Sequence, residues 1–132
     1  MLIRWYAFGL GIICHATFGL AIALMAYGIF CGLDNSMIDF HWQYPMLWDL
    51  CLLLQFPLLH SFLLSRPGGK VLDALSFSPK RSDLRTTLFA FISSVQLLIV
   101  FVFWSPSHIY VWKPPPSFIA LSTLLFVGAW IL

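Results

Sequence analysis

Apolar residues run along this chain in long blocks rather than in strand-like alternation or a one-sided helical stripe. No charged residue occurs from Trp5 to Leu33. A second block runs from Leu47 to Leu64, with Asp49 near its start and Pro57 inside it. A third covers Leu84 to Trp104 and a fourth Ser117 to Leu132. A helix that crosses a bilayer needs about 20 mainly apolar residues, because the hydrocarbon layer is roughly 30 Å thick and a helix rises about 1.5 Å per residue. The blocks therefore predict an all-α integral membrane bundle of about four transmembrane helices, forming a single domain over residues 1–132.

Each block carries a further expectation. The first is longer than one span requires, which predicts a tilted helix or ends that reach into the headgroups. Arg4 ahead of it resembles the start of a signal peptide, but the run is too long for an h-region and no small-x-small site closes it. Pro57 removes one helical hydrogen bond, a loss that neighbouring membrane helices can absorb. Pro114-Pro115-Pro116 cannot continue a helix backwards and so marks the start of the fourth span. That span finishes on Trp130-Ile131-Leu132 with no polar residue after it. A terminal carboxylate there would cost at least a few kcal/mol near the apolar layer. The pattern therefore predicts a truncated last span, the front part of a longer chain, with a thin interface at Leu132 as the alternative.

Composition removes several function classes. The 132 residues are 61% hydrophobic, 17% aromatic and only 9% charged, against roughly a quarter charged in soluble domains. Mean hydropathy is +0.91. Seven Lys+Arg against five Asp+Glu supply no basic stripe able to neutralise a nucleic-acid backbone. Three cysteines are too few for a disulfide-stapled secreted domain; Cys31 and Cys51 both fall near one side, where a bridge between them is conceivable. The placement of charge matters more than its sum. Arg66, Lys70, Lys80, Arg81 and Arg85 lie between the second and third blocks, whereas Asp34 to Met46 has no cation and Ser105 to Pro116 has only Lys113. Because positive loops stay cytoplasmic, the N-terminus with Arg4 is expected inside and the Asp34 loop outside. The basic Arg66–Arg85 loop is then inside and the Lys113 loop outside.

From the second block onward particular residues stand out. Gln55-Phe56-Pro57-Leu58-Leu59-His60-Ser61 followed by Ser65-Arg66-Pro67 resembles the Q-H-S…A-R-P signature of bacterial methanethiol S-methyltransferases. That group also includes NnrU-like membrane proteins and isoprenylcysteine carboxyl methyltransferases. Lys80-Arg81-Ser82 leading into Thr86-Thr87-Leu88-Phe89-Ala90-Phe91 is similar to the same group, as is Phe103-Trp104-Ser105-Pro106 with Val111-Trp112 downstream. The resemblance covers about residues 47–132. Pro57 and the pair Gly68-Gly69 depart from the family pattern, where bulkier residues are expected at the glycines. The resemblance implies the front half of an S-adenosylmethionine-dependent thiol S-methyltransferase in a bacterial inner membrane. The family's cofactor pocket belongs mainly to a C-terminal half that follows the fourth span.

Three residues are candidates for chemistry. His60 lies six residues before Arg66, so about 9 Å from the basic loop. A polar side chain at that depth marks a functional site or a helix-packing contact. The resemblance makes it the candidate catalytic residue, orienting substrate. Arg66 suits either anchorage to anionic headgroups or a bidentate contact to a carboxylate such as a cofactor's. His15 has Gly11 and Gly19 four residues to either side, all along one helical stripe. Small residues beside an imidazole leave room for a flat macrocycle with His15 as axial ligand of a haem or chlorin. They equally allow close approach of another helix. His41 and His108 fall in outside loops with no second ligand at metal spacing, so no metal site is expected. Asp49, Gln55 and Gln96 are the other intramembrane polar groups. The alternative to an enzyme is a non-catalytic small subunit packed in a larger membrane complex, with the lipid bilayer and other membrane subunits as its partners.

Overall fold

The computed structural model describes residues 2–34, 37, 43–76, 81–108 and 115–131, without the side chains of residues 2–4, 81–83 and 117. His41, Lys80, Val111, Trp112, Lys113 and Leu132 fall outside this set, as do the side chains of Arg4, Arg81 and Ser82. The described residues form five α-helices and no strand: α1 (Leu2–Phe30), α2 (Pro45–Leu64), α3 (Arg66–Leu75), α4 (Arg81–Val102) and α5 (Pro116–Ile131). Three of them hold apolar stretches long enough to cross a membrane, at Trp5–Phe30, Pro45–Leu64 and Leu84–Val102. The chain is an all-helical protein with the character of an integral membrane bundle.

The fourth apolar block forms a shorter helix. α5 has 16 residues, about 24 Å at 1.5 Å per residue, against a hydrocarbon layer of roughly 30 Å. It meets the rest of the molecule where Phe126 tilts against Phe30 at 5.5 Å. Beside that contact lies an open cleft of about 410 Å³, lined by Ile29, Phe30, Ile119, Ser122, Thr123 and Phe126.

The largest difference from the sequence reading lies between the second and third blocks. Part of the expected basic loop is helix: α3 occupies Arg66–Leu75. One residue, Ser65, separates it from α2 and serves as its cap. The Ser65 hydroxyl accepts from the Gly68 N–H at 3.3 Å and donates to the Phe62 carbonyl, which satisfies groups that helix ends otherwise leave orphaned. Leu72 of α3 then packs with Leu63 of α2 and Leu88 of α4, and Leu10 of α1 joins the same cluster. Four helices therefore meet at this end of the molecule.

The pair Gly68-Gly69 has a steric reason here. A Cβ at Gly68 would collide with the Phe62 carbonyl and come within 2.6 Å of Leu63 Cα. A Cβ at Gly69 would collide with the Arg85 guanidinium. α3 can fold back onto α2 and α4 because neither position carries a side chain.

α4 is the central helix, packing against α1, α2 and α3, while α1 and α2 share no extensive contact. Leu10 meets the Leu88 cluster at one end of α1, and Gly28 approaches Phe101 at the other. α1 and α4 therefore run parallel. Gln55 reaches Gln96 while the earlier Trp48 reaches the later Phe103, so α2 runs antiparallel to both. That alternation agrees with a chain that crosses, returns and crosses again. α1 stops in a Schellman turn, with Gly32 at φ +70° and the Leu33 N–H bonded to the Gly28 carbonyl at 2.7 Å. Glycine adopts this left-handed conformation without steric penalty. Pro57 sits inside an unbroken α2.

Gly68→Ala should destabilise the protein by about 1–3 kcal/mol through backbone overpacking, measured by denaturant titration in micelles. Gly11→Ala, where a Cβ meets nothing within 4 Å, should be neutral or stabilising by up to about 1 kcal/mol.

Candidate functional site

The polar side chains of α2 converge on one seam. With no water in the hydrocarbon layer, each must find its partner within the protein. Asp49 and Leu52 at one end of α2 and Leu63 at the other are buried, which defines the face turned toward α4. Along it the Asp49 carboxyl Oδ1 accepts from the Ser105 N–H at 2.9 Å. The Trp48 indole N–H donates to the Phe103 carbonyl at 2.8 Å. Both bonds engage backbone groups just past the end of α4, where the chain leaves its helix. Nearly two turns further in, the Gln55 amide donates to the Gln96 carbonyl at 3.2 Å.

His60 lies deeper along the same seam and is half-buried. Its Nδ1 is 3.2 Å from the Ser93 hydroxyl. The ring stacks on Phe56 at 5.5 Å and 23° and meets Phe89 at 4.8 Å and 54°. Two aromatic faces and one hydrogen bond fix its orientation, while Nε2 has no hydrogen-bond partner among the described residues. Ser93 and Phe89 were not singled out from the sequence; they stand 33 and 29 positions from His60, and nothing local pairs them with it.

Gln96 is the exception to a satisfied seam. It is 4% exposed, and neither its amide nitrogen nor its amide oxygen has a partner among the described residues. An unsatisfied buried amide costs about 1–3 kcal/mol. The neighbouring Ser94 is also buried but bonds back to the Ala90 carbonyl at 2.7 Å.

The other two candidates lie elsewhere. His15 is exposed on α1, and its Nδ1 is 2.8 Å from the Gly11 carbonyl. A carbonyl only accepts, so Nδ1 donates in this contact. Positions 11 and 19 have nothing within 4 Å of a built Cβ. A flat ring or a second helix would both fit this stripe. Arg66 is exposed at the start of α3, with no acidic partner among the described residues, and a guanidinium suits a carboxylate or phosphate. The structure does not gather His15, His60 and Arg66 into one site. A cofactor such as S-adenosylmethionine would find the Arg66 fork open, but His60 Nδ1 is already engaged by Ser93.

Outside the spans, His108 Nδ1 lies 3.5 Å from Asp34 Oδ1. This contact brings the turn after α1 near the segment after α4, with the His108 side chain still 64% exposed. Cys14, Cys31 and Cys51 are all free thiols. No three His, Cys, Asp or Glu side chains gather at metal distance among the described residues.

Asp49→Ala should lower stability by about 1–3 kcal/mol by leaving the buried Ser105 N–H without its acceptor, and Asp49→Asn should recover most of it by keeping the oxygen acceptor. Gln96→Met should raise stability by about 1 kcal/mol, because an apolar side chain of similar size removes two orphaned polar atoms. Unfolding titrations of the variants in one detergent check both. Comparison with protein-family models, with curated proteins and with solved structures finds no match to this chain.

Proposed function

We propose that this protein is a non-catalytic membrane unit that packs against further helices of a larger assembly. His15 carries this reading. In the hydrocarbon layer a polar side chain almost always faces a bundle interior or a cavity. Here the imidazole stands on the outer face of α1, bonded only to its own helix. Gly11 and Gly19 flank it on a surface that another helix can approach closely. By contrast, Asp49, Gln55 and Trp48 are already consumed in holding α2 to α4, as structural groups are.

The proposed orientation follows the cations. With Arg66, Lys70 and Arg85 on the cytoplasmic side, the N-terminus of α1 is inside and the Asp34 turn outside. The parallel α1–α4 pair and the antiparallel α2 support this arrangement. The membrane would be the inner membrane of a bacterium, as for the proteins whose Q-H-S…R-P pattern it resembles.

A second reading, methyl transfer from S-adenosylmethionine to a small thiol, is favoured by one observation. His60 is held in place through Nδ1 and two aromatic rings while Nε2 stays uncommitted. Such an imidazole could orient a thiol on the cytoplasmic half of the seam. The chemistry is chiefly positioning: the thiolate must lie in line with the sulfonium methyl group.

Solubilisation of native membranes in mild detergent should yield the chain with another membrane protein in fixed stoichiometry. Gly19→Leu should abolish that association while leaving the chain folded, because a Cβ there meets nothing. A monodisperse lone chain would refute the assembly. A visible absorption band lost in His15→Ala would instead identify a haem or chlorin on the same face. Labelled methyl transfer to methanethiol, lost in His60→Ala, would establish the second reading.

A further inference from the structure

We infer that α3 is an interfacial helix whose Arg66 and Lys70 bind the phosphates of anionic phospholipids. The inference rests on the membrane character of α2 and α4, not on the assembly or the methyl-transfer reading. α3 starts one residue after the apolar α2 ends, and the apolar stretch of α4 begins at Leu84. Its place is therefore the boundary of the hydrocarbon layer.

Its residues divide into three sectors. Gly68, Gly69 and Leu72 are buried against the bundle, as is Ser76 just beyond the helix. Pro67, Val71, Ala74 and Leu75 form an exposed apolar strip, with Val71 and Leu75 44% and 42% exposed. Arg66 and Lys70, four residues apart on the same helical face, are exposed on a third edge. A short helix with an apolar strip beside a cationic edge lies in the plane of the interface, apolar side toward the acyl chains.

Charge complementarity selects the lipid. Asp73, the acid of α3, is 4.0 Å from the Arg85 guanidinium, which lies over Gly69. That pair is locally neutral, and it leaves Arg66 and Lys70 without an acidic partner among the described residues. Two exposed cations at the level of the headgroups are matched by anionic phosphates, and the arginine fork can take one bidentately.

The test uses the whole chain in nanodiscs of phosphatidylglycerol and phosphatidylcholine. Native mass spectrometry of the released protein should show roughly thirtyfold preferential retention of phosphatidylglycerol at low salt, as expected for two cations near an anionic surface. Arg66→Gln with Lys70→Gln should bring retention to parity. Both side chains are exposed, so the fold should persist, which a circular dichroism melt checks. Separately, the indole fluorescence added by Val71→Trp, read as the difference from the unaltered chain, should be quenched by lipids brominated high on the acyl chain. Equal retention of the two lipids by the unaltered chain would overturn the inference, as would a preference that survives the double substitution. Added fluorescence that the brominated lipids leave unquenched would place α3 away from the bilayer and overturn it too. Flotation of the chain with vesicles separates these outcomes from a failure of membrane insertion itself.

Discussion

The bond between the Asp49 carboxyl and the Ser105 N–H anchors an arrangement that the rest of the structure depends on. It joins the beginning of α2 to the end of α4, and Trp48 reinforces it on the Phe103 carbonyl. In water such bonds would compete with solvent. In a layer without water they are the available way to satisfy these groups, so they fix which faces of the two helices meet and in what register. Gln55 and His60 then find their partners about two and three turns further along. The other end is closed by leucines and by a small helix that folds back over two glycines.

Together these features make α4 a central rib. It takes hydrogen bonds from α2 on one side and close small-residue contacts from α1 on the other, where Gly28 lets the helix approach Phe101 within 3.3 Å of a built Cβ. α1 contributes almost no polar contact to the bundle. Its His15 and flanking glycines face away, which is why the outer side of α1 and the polar seam carry different functional readings.

Much of this was legible in the sequence. A charge-free run from Trp5 to Leu33 has few physical solutions, and the helices at α1, α2 and α4 follow their apolar blocks within a few residues. The glycine spacing around His15 likewise predicts one stripe. α3 was not legible. Its ten residues hold a proline, two glycines and three charged side chains, and read as loop. The helix forms because Ser65 caps it and because Leu72 finds Leu63 and Leu88, contacts that no local window contains. The seam shows the same limit. His60 and Gln55 are five positions apart and only partly share a face, and their partners lie 33 and 41 residues away on α4. The meaning of Gly68-Gly69 also needed coordinates, since the obstacles are a backbone carbonyl and a guanidinium brought in by the fold.

The middle position of α4 has a consequence for biosynthesis. Of the three long apolar helices it is the last to be made, yet it is the one the other two pack against. α1 and α2, which share no extensive contact among the described residues, must therefore wait for α4 to pack against. Gln55 and His60 wait in lipid until the ribosome has delivered Ser93 and Gln96. Release of the nascent chain before that point would leave Gln55 and His60 without the α4 groups they bond.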